Sequence, residues 1–322
     1  MIISAILAAA LAVQGHSAPK HPTPAATKPA ATAQFKSYTD DFAKFFDETA
    51  SLPEAERIRL FHERFGPLAG GFYGPRDRDP AKVDASIARA LKGFPAIRVH
   101  YTAAAANFAQ AFATGQARFR TFFPDYKLTM PVYLVHSLGE MDGGTRDLNG
   151  HSVAIFGADV IAQIHDETTI GPFLDHELFH LYHARYSPEC DQLWCSLWVE
   201  GLAVYVASRL NPGATDRQLL LTLPMPIRAA VDPHLAEAMC SARARLDSTA
   251  KEDYAPFFTF GRGSTSSFPP RYGYYLGFLL AQKIGETMPL AQMAKLPPAK
   301  VRPLLDKALA SYGNCPSAAP AS

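Results

Sequence analysis

The sequence has 322 residues, of which 48% are hydrophobic, and its 31 Lys and Arg residues nearly balance its 30 Asp and Glu residues. The length allows one large domain or two small ones, and the composition is that of an ordinary globular protein. Because the sequence has no basic stripe of the kind that binds phosphates, nucleic acid is not an expected partner.

The N-terminal segment is typical of a secretory signal peptide. Residues Met1 to Val13 are uncharged and almost entirely apolar, but this run is shorter than the roughly 20 residues that a helix needs to cross a bilayer. Small residues suited to cleavage follow near Gly15 or Ala18. We therefore predict a signal peptide over 1–18 and an exported protein, periplasmic or secreted, without stable membrane insertion after signal removal. An uncleaved N-terminal anchor is the alternative, since no Lys or Arg precedes the apolar run.

Segments of low complexity flank the predicted domain. Residues 19–35 are rich in Pro, Ala and Thr and predict a flexible leader, and residues 315–322 predict a similar tail. Between them we predict one metallohydrolase domain, 36–314. Its N-terminal part, 36–125, is expected to be helical, and its second part, 126–314, is expected to hold a metal site.

Helical spacing of apolar residues dominates most of this domain. Side chains at three- and four-residue steps predict nine helices, over Tyr38–Ala50, Pro53–Phe65, Pro80–Leu91, Ala96–Phe122, Pro172–Tyr186, Leu193–Leu210, Asp232–Leu246, Tyr272–Ile284 and Ala299–Tyr312. Two β-rich runs interrupt the helices and predict strands at Met130–His136 and Ser152–Phe156, joined by a long loop, Gly139–Gly150. The predicted fold class is therefore α+β, mostly helical, with a small sheet before the helix that starts at Pro172.

The helix after the sheet contains the sequence His-Glu-Leu-Phe-His, in which His176 and His180 lie four residues apart. On a helix these two imidazoles share one face and can bind one metal ion. Glu177 points to the side, where it can reach a water molecule without being a ligand. Two ligands and one general base are the division of roles in the HExxH motif.

The residues around this motif also favour a metal site. The helix is apolar nearly all round, which indicates that it is buried. Buried His and Glu side chains need a partner or a metal, because removing them from water unpaired is costly. A hydrogen-bonded structural pair of histidines is the alternative. His183 lies about 10.5 Å along the axis from His176 at 1.5 Å per residue, so we assign it to packing or to support of the ligands.

A second motif supplies the third ligand. Glu200 is the only charged residue between Asp191 and Arg209, in the middle of an apolar predicted helix. A lone buried carboxylate destabilises a fold unless a positive charge faces it, and a divalent cation meets that need. The small residues Gly201 and Ala203 are expected to let this helix approach the HELFH helix closely. An ion pair with a distant Arg or Lys is the alternative.

HELFH followed by WVEGLAVY resembles a gluzincin metallopeptidase, in which an HExxH motif is followed by a helical Glu. It is most similar to predicted zinc-protease families that carry an EGLA-type second motif. The resemblance covers roughly residues 130–284 and implies a zincin-like fold with Zn²⁺ as the cofactor. It implies His176, His180 and Glu200 as the metal ligands and Glu177 as the general base.

The sequence departs from the thermolysin-like gluzincin pattern at one position. An Asp one turn after the third ligand orients a histidine in those enzymes, and Val204 occupies that position here. Support for the ligands must then come from elsewhere. The candidates are Asp175, Asp166 and Glu167.

The resemblance also implies how the substrate is held. Tyr-bearing, glycine-containing helices follow the metal motifs in the resembled families, so Tyr274 or Tyr275 is a candidate donor to the oxyanion, with aromatic packing as the alternative. An edge strand before the active-site helix binds extended peptide in zincins. Ser152–Phe156 is the expected counterpart, and its exposed backbone would pair with the substrate.

The four cysteines are compatible with two disulfides in an exported protein. Four cysteines allow three pairings, and the preferred local pair is Cys190 with Cys195, which leaves Cys240 with Cys315. Their spacing matches no zinc-binding pattern, so we assign no cysteine to a metal.

These features together predict an exported zinc metallopeptidase that hydrolyses peptides or proteins, with Glu177 activating the water. One alternative is a zinc hydrolase that acts on a substrate other than a peptide, because the motif determines the metal and the base only. The other is an exported metal-binding protein without catalytic activity.

Overall fold

The computed structural model describes residues 35–74, 78–187, 190–261, 267–313 and 315. They form two compact units. The first extends up to Gln110 and includes Lys127–Asp166, and the second comprises Ala111–Tyr126 and the residues from Glu167 onward. The predicted signal peptide, almost all of the leader and most of the tail lie outside the described residues, and the domain boundaries stay predictions.

The first unit has an aromatic core that begins with the two predicted N-terminal helices. These form as α1 (Thr39–Glu48) and α2 (Glu54–Phe65). Phe42 of α1 is fully buried, and its ring centroid lies 6.3 Å from that of Phe61 and 5.1 Å from that of Phe94. The apolar faces predicted for α1 and α2 from residue spacing are therefore the faces that pack in the core.

The next two predicted helices form one continuous helix, α3 (Pro80–Phe122), so the predicted break around Pro95 is wrong. Proline removes a single N–H donor from a helix and strains the preceding turn, at a cost of roughly 3 kcal/mol. Buried aromatic side chains on both sides of Pro95 offset that cost, since Phe94 and Tyr101 are both sealed from solvent in the first unit.

The first unit also holds the sheet. Its strands are β1 (Phe35–Ser37), β2 (Val132–Val135), β3 (Gly143–Leu148) and β4 (His151–Gly157), in the order β1-β2-β4-β3. β2 is parallel to β1 and to β4, and β3 is antiparallel to β4. A short helix, α4 (Ala158–Ile164), follows directly. The predicted fold class, mostly helical α+β with a small sheet before the HELFH helix, is confirmed.

Two expectations about the sheet are wrong. The segment Gly139–Gly150 is not one long loop, because much of it forms β3. β4 is consequently an interior strand, with hydrogen-bonded neighbours on both sides, and its backbone is not exposed for a peptide. The turn between β3 and β4 is Asn149-Gly150, with φ values of 52° and 77°. That Asn-Gly pair is a strong hairpin signal, and the sequence therefore carried the information that predicts β3.

The second unit is helical. Its helices are α5 (Ile170–His183), α6 (Leu193–Leu210), α7 (Ile227–Val231), α8 (Leu235–Arg243), α9 (Lys251–Phe258), α10 (Tyr272–Gly285), α11 (Leu290–Met293) and α12 (Pro298–Ala310). The short helices α7, α9 and α11 were not predicted, because so few residues carry little periodicity. The helix predicted from Asp232 begins as a 3₁₀ turn and becomes α-helical only at Leu235.

The closest helix contact in this unit joins α6 to α10. A Cβ atom at Gly201 would lie within 3.0 Å of the Gly277 backbone, and one at Gly277 would meet the backbone of α6 in the same way. Gly201 was expected to bring α6 close to the HELFH helix, and that expectation is wrong. The two glycines instead remove the side chains that would hold the α6 and α10 backbones apart.

Both disulfides form as preferred. Cys190 is bonded to Cys195 at the start of α6, and Cys240 of α8 is bonded to Cys315 beyond α12. The second bond closes a loop over a sequence separation of 75 residues. Within the described residues, no helix combines the length and hydrophobicity needed to cross a bilayer.

Candidate metal centre

Two packed helices of the second unit bring the three predicted ligands together. His176 and His180 lie one turn apart on α5, and their Nε2 atoms are 2.9 Å from each other. Glu200 projects from the middle of α6, with its Oε2 atom 3.3 Å from His176 Nε2 and 3.4 Å from His180 Nε2. We call these three residues the metal triad.

The spacing of the metal triad suits a divalent metal ion. Ligand atoms held about 2 Å from an ion at tetrahedral angles are separated by about 3.3 Å. The three separations of 2.9, 3.3 and 3.4 Å are close to that value without an ion. Two imidazole nitrogens and a carboxylate oxygen are also a donor set that transition metals prefer. The metal triad can therefore hold a metal ion, although these contacts do not identify the metal.

The metal triad is partly open to solvent. The side chains of His176, His180 and Glu200 are 15%, 20% and 24% exposed. Structural zinc sites are closed by four protein ligands, whereas catalytic sites have three and leave one position open. The metal triad offers three protein ligands and leaves access from solvent.

Electrostatics within the metal triad show how strongly the carboxylate requires a positive partner. Burial by itself raises the pKa of Glu200, but the charges of and hydrogen bonds from the two histidines outweigh it and hold that pKa well below its usual range. Burial likewise opposes protonation of His180, yet the charge and hydrogen bond of Glu200 raise the pKa of His180 to about 9. Glu200 is thus kept ionised, whereas the proton that it stabilises on His180 must leave before that imidazole can bind a metal ion.

Glu177, the residue predicted to be the general base, lies on the same helix as the two histidines. It follows His176 directly on α5 and is 9% exposed. Its charge contributes to the raised pKa of His180. It is outside the set of converging ligand atoms, which matches a base that acts beside the ion rather than on it.

Asp175, one of the three acidic candidates for support of the ligands, makes two side-chain contacts that link helices. It is fully buried and accepts hydrogen bonds from Arg118 Nε at 2.9 Å and from Asn211 Nδ2 at 2.6 Å. Asn211 caps the C-terminus of α6, so Asp175 ties the helix of the two histidines to the helix of Glu200. Asp166 and Glu167 are both exposed.

The two candidate tyrosines of α10 have different surroundings. The ring of Tyr274 lies 6.4 Å from that of His176, and burial raises the pKa of its hydroxyl well above the usual value, with the charge of Glu200 adding to the effect. Tyr275 is buried elsewhere. Its hydroxyl donates to Asp232 Oδ1 at 2.6 Å and accepts from Arg228 Nη1 at 3.1 Å. Tyr274 is therefore placed at the metal triad, and the hydroxyl of Tyr275 belongs to a structural network.

A further phenol near the site was not expected from the sequence. Tyr254 of α9 lies close enough to Glu200 for that charge to influence it, and burial raises its pKa to about 12. Its ring packs on Phe258, which in turn contacts the ring of Tyr274. Nothing in the local sequence connects Tyr254 with the metal motifs, because only the packing of α9 against α10 brings it there.

His183 has the packing role assigned to it. It is 1% exposed, its ring stacks on Phe179 with centroids 4.9 Å apart, and its Nδ1 atom hydrogen-bonds the carbonyl oxygen of Ala294 at 2.8 Å. Burial lowers its pKa from 6.5 to about 4. His183 is therefore neutral in the folded protein at neutral pH and donates the Nδ1 proton.

The buried His183 should make stability depend on pH below neutrality. Between pH 6.5 and 4 the unfolded chain binds a proton at this residue and the folded chain does not, so stability falls as the pH falls. This shift in the pKa of His183 corresponds to a loss of about 3 kcal/mol in the free energy of unfolding between neutral pH and pH 4. The test compares urea unfolding at pH 7, 5.5 and 4 between the protein and the His183→Gln variant, whose amide can still donate to Ala294. The difference in unfolding free energy between the two should shrink by about that amount, and a constant difference would contradict the assignment.

Comparison with known proteins identified no relative of this protein. No protein-family model matches the sequence, and no curated protein or solved structure matches the chain. The likeness to gluzincins therefore rests on the residues of the two motifs.

Proposed function

We propose that this protein is a zinc-dependent metallopeptidase. The observation that carries the proposal is the convergence of His176, His180 and Glu200 from two helices, with Glu177 beside them in the HELFH sequence. Zinc is the best match among common metals for two imidazoles and one carboxylate with an open position. The two disulfides fit an exported protein, because such bonds persist in oxidising compartments.

The proposed reaction is hydrolysis of a peptide bond. His176, His180 and Glu200 would hold a divalent ion, which would supply Lewis acidity toward a water molecule and the carbonyl group of the substrate. Glu177 accepts the proton of the attacking water and returns it to the leaving nitrogen. The hydroxyl of Tyr274, which stays protonated at neutral pH, donates a hydrogen bond to the oxygen on which negative charge develops.

Removing and restoring the metal should switch the activity off and on. The purified protein should contain about one zinc per chain by elemental analysis, since three protein ligands give strong binding. A strong chelator should abolish cleavage of a mixed peptide library, followed by mass spectrometry, and one equivalent of Zn²⁺ should restore it. The matched control is His234→Ala, which removes an exposed histidine of the same unit and should leave both metal content and cleavage unchanged.

Each other outcome favours a different function. Zinc bound at one equivalent without cleavage of any peptide, but with zinc-dependent hydrolysis of ester or amide substrates, would favour a non-peptide hydrolase. A folded chain that binds no divalent metal would contradict the proposal altogether.

A further inference from the structure

Arg271 is a buried arginine at the start of α10, three residues before Tyr274. It is 8% exposed and has a left-handed backbone conformation, with φ of 66°. Its guanidinium carbon lies 4.6 Å from the ring centroid of Tyr274 and 4.7 Å from that of Phe260, so the cation is held between two aromatic faces. The side chain is thereby fixed against Tyr274, whose ring neighbours His176.

The guanidinium is bound by neutral partners, one of which is the hydroxyl of Tyr274, whose pKa its hydrogen bond lowers. Nη1 donates to the carbonyl oxygen of Leu223 at 3.2 Å. Within the described part of the chain, no carboxylate forms an ion pair with Arg271, whereas the arginines that brace the fold, such as Arg118 and Arg228, do pair with carboxylates. Each nitrogen of Arg271 either has a hydrogen-bond partner or is accessible to solvent. The guanidinium is therefore held by a carbonyl oxygen and by aromatic rings, and no carboxylate of the described residues neutralises its charge.

The position of these donors relative to the metal triad is set by Tyr274. One side of its ring contacts the guanidinium, and the ring of His176 lies 6.4 Å from its centroid. An extended peptide advances about 3.3–3.6 Å per residue, so a group bound at Arg271 lies within about three residues of a bond placed at the metal triad. Phe260, which is 36% exposed, adds an apolar surface next to the same donors.

We infer that Arg271 determines substrate specificity by binding a carboxylate of the peptide close to the scissile bond. The planar fork of an arginine matches a carboxylate in geometry and charge, and an arginine that lacks an acidic partner is able to take one from a ligand. The carboxylate is either the free C-terminus or the side chain of an Asp or Glu residue. This inference rests on the proposed peptidase function and adds the substrate class to it.

Binding can be measured without catalysis in the Zn²⁺-loaded Glu177→Gln variant. Three labelled peptides of otherwise identical apolar sequence serve as probes: one with a free C-terminus, one with a C-terminal amide, and one amide with a single internal Glu. Fluorescence polarisation should show about 10- to 100-fold tighter binding of at least one carboxylate-bearing peptide than of the plain amide, the range typical of charge-assisted hydrogen bonds. The two carboxylate probes distinguish a C-terminal from a side-chain carboxylate.

Adding Arg271→Gln to the Glu177→Gln variant should lower its affinity for the carboxylate-bearing peptide to its affinity for the plain amide. Adding Lys283→Gln, which removes an exposed charge from the same helix, should leave the preference intact. Equal binding of all three peptides, no binding of any, or an equal loss for acid and amide in the Arg271 variant would overturn the inference. A preference for the carboxylate-bearing peptide, together with no cleavage by the wild-type protein, would support the inference and contradict the peptidase proposal. The failure of one is therefore distinguishable from the failure of the other.

Discussion

Replacing Glu177 by Gln should lower kcat for peptide cleavage by about 10²- to 10⁴-fold while leaving bound zinc near one equivalent. Glutamine matches the size of glutamate but cannot accept the proton of the attacking water. Glu177 contributes no atom to the converging ligands, so its loss should not release the metal. The measurement combines steady-state kinetics on a quenched peptide with elemental analysis of the same sample.

The matched control for this experiment is Glu200→Gln, on the neighbouring helix. That change removes the charge of a ligand, so it should lower metal content and cleavage together. The comparison separates a base from a ligand, because only the Glu177 variant should retain its metal. Cleavage that persists in zinc-loaded Glu177→Gln would show that another group acts as the base.

Replacing Gly201 by Ala should destabilise the protein by about 3 kcal/mol or more, since overpacking against a backbone cannot be relieved by a change of rotamer. The added Cβ atom would lie within 3.0 Å of the Gly277 backbone, so α6 and α10 must move apart. The midpoint of thermal unfolding should fall by about 5 °C, because the large unfolding entropy of a long chain makes the shift per kcal/mol small. Because Glu200 precedes Gly201, metal affinity should fall as well.

Gly93→Ala provides the matched control for the glycine substitution. Gly93 lies within α3, and a Cβ atom there would meet nothing within 4 Å. Alanine should therefore stabilise the protein by about 0.4–1 kcal/mol through the smaller entropy of the unfolded chain. Differential scanning calorimetry of both variants with and without Zn²⁺ measures the effects. An unchanged midpoint for Gly201→Ala would contradict the close contact between α6 and α10.

Part of the candidate site could be predicted because helix geometry relates sequence spacing directly to position. Residues four apart on a helix share a face, so His176 and His180 had to lie together once their segment was helical. A lone carboxylate in an apolar helix needs a positive partner, and this requirement singled out Glu200. The pairing of the cysteines followed from the short separation of Cys190 and Cys195.

Other features depend on which surfaces pack together. β4 is an interior strand because β3 pairs with it through the Asn-Gly turn, and the pairing partner on its other side is set by the tertiary fold. Gly201 faces α10 rather than α5. The sequence predicts a close contact at a small residue, but it does not predict which helix makes that contact. Tyr254 reaches the site only through the arrangement of α9.

By itself, the sequence determined the types and spacing of the residues proposed as ligands and base, and the mostly helical α+β class. These are properties of single segments, which backbone geometry and the cost of burying charge constrain locally. Only the tertiary structure decided that Tyr274 rather than Tyr275 lies beside the metal triad. Adjacent residues on a helix point about 100° apart, and which direction meets the site depends on how separate helices pack.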